Sequence, residues 1–163
     1  MKTYIDSDGV LSDFHGWVAG HNGGVLDESI DIDRFIVDHY ETCYIDAQQL
    51  PGRDLWFLLL ATDPDWYVLS SVGTLDRFLG VADDLSEEEV TRRYNILIEN
   101  KYRWFEERGV PRDKVILVGR SADKVKYCQP GDILYDDFNK TLDLWAEAGG
   151  LAIKVYNTYK DVI

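Results

Sequence analysis

The sequence predicts an α/β fold with a central parallel sheet, and three observations carry that expectation. Five short runs rich in Val, Ile, Leu or Tyr are separated by stretches of helical length, the pattern of strands joined by helical crossovers. No repeat, low-complexity tract or Pro/Gly/Ser linker breaks the alternation, so the chain reads as one interleaved unit. The first four runs are each followed at once by polar side chains: Asp6-Ser7-Asp8, Ser70-Ser71, Gly119-Arg120-Ser121 and Asp136-Asp137. In an open parallel sheet ligands bind outside the carboxyl ends of the strands, so these residues are expected along one edge.

Taken in order, the strand runs are Thr3 to Ile5, Trp66 to Leu69, Lys114 to Val118, Asp132 to Tyr135, and Leu151 to Tyr156. The strongest helix runs from Glu87 to Arg108. Ser86 and Glu89 have the spacing of a capping box, Gly109 supplies a stop, and Pro111 stands just past it. Its apolar seam is Val90, Tyr94, Leu97, Trp104 and Phe105, and helical spacing puts Lys101 in the same seam. An inward lysine either snorkels to water or aims its ammonium at an anion. Asp33 to Tyr44 and Asp54 to Ala61 read as helices, and Gly20-His21-Asn22-Gly23-Gly24 as a turn-rich stretch. The segment 14–64 is the place for a small cap inserted after the first strand, leaving 1–13 and 65–163 as the core.

At 163 residues and 18.7 kDa the chain suits one domain with a short insertion. Its mean hydropathy of -0.26 is that of an ordinary globular protein. Without an apolar run of about 18 residues or a secretion-type leader, the expectation is a cytoplasmic protein, a monomer or homodimer, with no membrane partner. Cys43 and Cys128 stand far apart without a CxxC pair and are expected as free thiols. A net charge of -13 and a pI near 4.5 repel polyanions, which disfavours long nucleic acid and favours small substrates met with a bound cation.

Asp-x-Asp-Gly by itself is a weak signal, shared with calcium loops and plain turns. An EF-hand is excluded, because the twelfth position counted from Asp6 is Trp17 where a bidentate Glu is required. The ordered set is more specific. If the first and fourth strands are neighbours, about 4.8 Å apart, their acidic tips can share one ion. Mg²⁺ suits two or three carboxylates together with a phosphate oxygen.

That set, Asp6-x-Asp8-Gly9-Val10-Leu11, then Val68-Leu69-Ser70-Ser71, a downstream lysine, and Leu134-Tyr135-Asp136-Asp137, resembles the four motifs of the haloacid dehalogenase superfamily. Within it, Asp8-Gly9-Val10-Leu11-x-Asp13-Phe14, Leu50-Pro51-Gly52, Lys101-Tyr102-x-Trp104, Asp123-Lys124, Asp136-Asp137, Trp145 and Gly149-Gly150 are similar to signature segments of the 5'(3')-deoxyribonucleotidases. The resemblance implies a Rossmann-like three-layer sandwich and hydrolysis of a nucleoside monophosphate through an aspartyl phosphate. By that likeness Asp6 is the nucleophile and Asp8 the general acid and base. Mg²⁺ is held by Asp6, the backbone carbonyl of Asp8 and Asp136, with Asp137 as a ligand or behind one. Ser70, Ser71, Lys101 and Lys124 bind phosphate, with Lys126 in reserve.

The segment 14–64 lacks the Gly-Phe-Trp run with which those nucleotidases help stack a pyrimidine. Phe14, Trp17, Tyr40 and Tyr44 are the alternative stacking surface, or else they pack the cap on the core. His15 and His21, each read as lying in a loop, either touch substrate or, as lone loop histidines usually do, face solvent. Two other functions stay open: a phosphatase for another small ester such as a sugar phosphate, and a non-catalytic acidic binding protein on the same fold.

Overall fold

The computed structural model describes residues 1–157, so the expected core range 65–163 extends past them. Its centre is a five-stranded, all-parallel sheet of β1 (Thr3–Ile5), β2 (Trp66–Ser71), β3 (Val115–Val118), β4 (Ile133–Asp136) and β5 (Leu151–Lys154). The spatial order is β3-β2-β1-β4-β5, so the chain builds outward from β1 on one side and then crosses back to the other. That reversal opens a crevice at the carboxyl end of β1, where diverging connections leave room for a ligand. Register sharpens the point. Ile5 pairs with Tyr135, and the Asp6 N–H continues the ladder by donating to the Tyr135 carbonyl at 2.9 Å, so Asp6 and Asp136 leave the sheet side by side.

Side chains alternate across a strand, and here the two faces bury separate cores. On one, Ile5, Val68 and Val115 pack with Phe57 and Leu60 of α3 (Asp54–Thr62) and with Trp104 and Phe105 of α5 (Glu87–Glu106). On the other, Tyr4, Leu69 and Leu134 pack with Trp145 of α6 (Asn139–Glu147). Helices on both faces of the sheet make the three layers expected from the sequence.

The helices of residues 14–64 divide between two places. While α3 belongs to the sheet, α1 (Phe14–Gly20) and α2 (Ile32–Asp38) join α4 (Leu75–Val81) and the first half of α5 in a third cluster containing Phe14, Val18, Ile36, Phe78, Val90 and Leu97. Polar clamps hold this layer together: Arg34 reaches Asp84, Arg77 reaches Asp33, and Arg93 donates to the Val37 carbonyl at 3.2 Å.

Three elements depart from the sequence reading. The helix expected over 33–44 stops at Asp38, because His39 takes non-helical angles (φ -110°, ψ 31°) and the chain continues through isolated turns. Helix α1 has two glycines among its seven residues, which cost helix propensity and hide it from pattern; the Asp13 carboxylate secures it by capping the Gly16 N–H at 3.1 Å. Helix α4 was likewise unassigned and starts on a Thr74 cap that accepts from the Arg77 N–H. By contrast, Ser86 caps α5 as expected, although Glu89 turns to Arg92 and Arg93. Both cysteines are free. Among the described residues no helix is long and apolar enough to cross a membrane.

Candidate active site

Three connections at the carboxyl edge of the sheet build one site. Directly after β1, the Ser7 carbonyl accepts from the N–H groups of Val10, Leu11 and Ser12 at 3.2, 2.8 and 3.0 Å, which folds residues 6–12 into a tight turn. Gly9 sits there at φ +80°, a left-handed conformation costly to residues with a Cβ. Space matters as much as angle. A Cβ at Gly9 would overlap the Asp137 Oδ2 and come within 2.8 Å of the His15 ring, so the turn lies directly against the acidic cluster.

Asp6, Asp136 and Asp137 form that cluster, each offering a carboxylate oxygen within 4.8 Å of the others. The ammonium of Lys124, from the 3₁₀ turn Ser121–Tyr127, enters it from below and lies 2.8 Å from Asp6 Oδ1 and 2.7 Å from Asp136 Oδ2. Burial works against a charged lysine, but Asp136 and Asp6 outweigh it and hold the ammonium firmly protonated. The carboxylates are crowded even so. Burial first, then the nearby Asp6, raises the pKa of Asp136, while burial followed by Asp6 and Asp136 raises that of Asp137. One ammonium among three such groups leaves excess negative charge at a spot of hard oxygen donors, the environment that suits a divalent cation of the Mg²⁺ type.

Asp8 is handled differently. Its Oδ2 accepts from Lys101 Nζ at 2.8 Å, and the same ammonium donates to the Ser71 carbonyl at 3.2 Å and lies 4.4 Å from the centre of the Tyr44 ring. Lys101 is 2% exposed, so its inward position on α5 is filled by an ion pair rather than by a stem snorkelling to water.

Asp6, Asp8, Lys124, Asp136 and Asp137 open into a cavity of about 310 Å³, whereas Lys101, expected to bind phosphate, is not part of its lining and stands behind Asp8. The polar floor of the cavity includes Asp6, Asp8, Asp136, Asp137, Lys124 and Ser71, with the Ser71 and Ser121 hydroxyls 3.2 Å apart. Its apolar wall is drawn mainly from the third cluster, with Phe14 and Tyr44 at ring centres 5.4 Å apart and with Ile32, Ile36 and Phe78, and Val72 just past β2 completes it.

The residues singled out by sequence do not all gather there. Ser70 is buried behind the cavity with its hydroxyl unpaired. Lys126 lies on the surface, paired with Asp123 at 2.9 Å. Trp17 and Tyr40 do not line the cavity. On α1 the spacing sends Phe14 and Val18 inward, while Trp17 and His21 stack on the adjacent face at 3.9 Å; Tyr40 lies beneath the guanidinium groups of Arg92 and Arg93. His15 lies at the cavity, the first of its two expected places, and not in solvent. Only 8% exposed, it lines the cavity with Nδ1 3.9 Å from Asp137 Oδ2, and burial, outweighing the pull of Asp8 and Asp6, lowers its pKa and keeps it neutral. Once α1 is recognised as a helix, its place next to Phe14 is the signal that locates it. Ser121, one of the polar strand-end residues, also lines the cavity, as does Arg77, which no sequence feature singled out and which lies in a stretch with no expected element.

No family model matches this chain, and no curated protein matches it. Among solved structures it is similar to a D,D-heptose 1.7-bisphosphate phosphatase from B. bronchiseptica, crystallised with magnesium and phosphate. Identity is 18% over 93% of this chain and 79% of that one, at a TM-score of 0.46.

Proposed function

We propose that this protein is a Mg²⁺-dependent phosphatase that cleaves a small phosphate monoester, a nucleoside monophosphate in the finer reading, through an aspartyl phosphate on Asp6. The observation that carries the reading is the meeting of Asp6, Asp136 and Asp137 within 4.8 Å at a cavity that also admits Asp8 and Lys124. Phosphate monoesters resist hydrolysis so strongly that accelerations up to ~10²¹-fold are needed, and a site must supply both a positioned nucleophile and relief of negative charge. Bound at the three carboxylates, Mg²⁺ would supply that relief by screening the Asp6 carboxylate from the phosphoryl oxygens.

The chain's own residues divide the remaining work. Asp6, held by Lys124 and by the β1–β4 register, presents an oxygen for in-line attack. Asp8 enters the cycle protonated on the oxygen that Lys101 leaves free, gives that proton to the departing oxygen, and regains one from the hydrolytic water. In its resting pair with Lys101, Asp8 is aimed by an ammonium that can also accompany the phosphate. The Ser71 hydroxyl, and that of Ser121 beside it, face the cavity as hydrogen-bond donors. Ser70, buried just beneath, backs this strand end. Phe14 and Tyr44 on the apolar wall support a leaving group with a flat body, and the helices α1 and α2 above the cavity play the part of the cap.

Mg²⁺-dependent turnover of p-nitrophenyl phosphate tests the reaction. Activity lost in Asp6→Asn and an adduct on Asp6 with beryllofluoride are the expected results; equal turnover in that variant removes the nucleophile, and no turnover at all favours a non-catalytic acidic protein. Phosphate release across nucleoside monophosphates and sugar phosphates tests the substrate, and a preference for the sugars removes the nucleotide reading alone.

A further inference from the structure

On the α4 side of the cavity stands a cation with no role in the chemistry above. Arg77 lines the cavity, and its guanidinium is gripped from α2: Nε donates to Asp33 Oδ2 at 2.8 Å and Nη2 to Asp33 Oδ1 at 2.5 Å. Asp33 is itself largely covered, at 17% side-chain exposure, while Arg77 is half-exposed. One edge of the planar group is therefore occupied, and three of its five N–H groups, both on Nη1 and one on Nη2, make no hydrogen bond among the described residues. Asp33 and Arg77 lie on opposite sides of the α2–α4 junction, next to Ile32, Ile36 and Phe78 of the apolar wall.

We propose that Arg77, oriented by Asp33, reads the leaving group of the substrate: it donates from Nη1 to a neutral oxygen acceptor, a carbonyl or hydroxyl, on an otherwise apolar body, and it disfavours a second anionic group. This rests on the phosphatase reading and adds a specificity-determining pair to it. The first half follows from geometry, since a guanidinium pinned along one edge has its remaining N–H groups fixed in direction, and fixed donors discriminate well. The second follows from charge. An unpaired arginine would attract a distal phosphate or carboxylate, whereas a bidentate carboxylate cancels most of that attraction and adds repulsion of its own. Both lysines of the site stand at the phosphoryl end, Lys124 on Asp6 and Asp136 and Lys101 on Asp8, so neither is placed to receive a second anion beside Arg77.

The test uses the purified full-length protein with Mg²⁺ and three esters: phenyl phosphate, thymidine 5'-monophosphate, and thymidine 3',5'-bisphosphate. Loss of one charge-assisted hydrogen bond predicts that Arg77→Ala lowers kcat/KM for the thymidine monophosphate about 10- to 100-fold more than for phenyl phosphate, mainly through KM. Arg77→Lys, which keeps the charge but not the fork, should recover less than half of that discrimination on a logarithmic scale. Asp33→Asn should raise the bisphosphate relative to the monophosphate. Arg34→Ala cuts a different clamp, from α2 to Asp84 just past the end of α4, and serves as the structural control. Its ratios should stay at the wild-type value. Equal losses on both monoesters in Arg77→Ala, or the same shift in Arg34→Ala, overturn the pair as a specificity device; should Arg77→Ala fail to fold by circular dichroism, Arg77→Lys decides by the same ratio. A bisphosphate that gains nothing in Asp33→Asn overturns the charge argument. Wild-type protein that turns over none of the three esters removes the phosphatase reading and this pair with it, whereas turnover with unshifted ratios removes the pair alone.

Discussion

Lys124 Nζ lies 2.7 Å from Asp136 Oδ2, and both side chains are almost wholly buried, at 2% and 1% exposure. A buried ion pair returns little net stability, yet removing one partner strands the other, at a cost of about 3–5 kcal/mol. Lys124 serves two carboxylates at once, so Lys124→Met should destabilise the Mg²⁺-free protein by about that amount. Urea unfolding measures it. A change below about 1 kcal/mol, the worth of an exposed pair, would mean that the ammonium is not confined as described.

Gly9→Ala adds one methyl group but should abolish turnover of p-nitrophenyl phosphate. The residue holds φ +80°, and its Cβ would overlap Asp137 Oδ2 and crowd the His15 ring, so either the turn or the carboxylate must move. Since the strain sits at the cluster, the variant should also lose the Mg²⁺ response described next. Wild-type kinetics in Gly9→Ala would contradict the tight seat of this turn.

Thermal stability should respond to Mg²⁺ independently of any substrate. An ion that binds the folded chain alone stabilises it by about 2.7 kcal/mol at a hundredfold excess over its dissociation constant. In the proposed site the crowded carboxylates at positions 6, 136 and 137 would provide the ligands, so the rise in Tm should vanish on chelation and be largely absent in Asp136→Asn. An equal rise in wild type and variant would place the ion elsewhere.

Alkali should weaken the fold before it exposes new chemistry. Burial, reinforced by Asp8, pushes the Cys43 thiol up to about 12, and burial with Asp132 raises the Tyr4 phenol to about 12. In the unfolded chain these groups ionise near about 8.5 and 10. Between those values and 12 the folded state keeps protons that the unfolded state has released, so stability falls as pH rises through that window. The urea midpoint should therefore drop between pH 8 and pH 10.5. Native iodoacetamide labelling at pH 8 should modify the partly exposed Cys128 well before Cys43; the reverse order would be incompatible with a fully buried thiol at 43.

Much of the architecture is legible along the chain because it depends on local pattern. Strand runs and polar strand ends are continuous in sequence, so the parallel sheet and the residues on its edge can be read directly, and the seam of α5 puts Lys101 inward from spacing alone. Helices α1 and α4 escape that kind of reading. The first is diluted by Gly16 and Gly20, and the second is a single short element whose support comes from α2 and α5 rather than from its own periodicity. Missing α1 and α4 hid Arg77 and left Trp17 equivalent to Phe14, while extending α2 through Tyr44 put Tyr40 and Tyr44 on one helical face.

The sequence by itself determined which chemical groups stand at the strand ends and in what order, since a carboxylate one residue past a hydrophobic run is a local fact. Only the tertiary structure decided which of those groups meet. The pairing of Ile5 with Tyr135 sets Asp6 beside Asp136, burial selects Lys124 over Lys126, and the α2–α4 junction clamps Arg77 onto Asp33. Each of those outcomes depends on register and packing between segments far apart in the chain, and such contacts are fixed by the shared burial of many side chains rather than by any one stretch of residues.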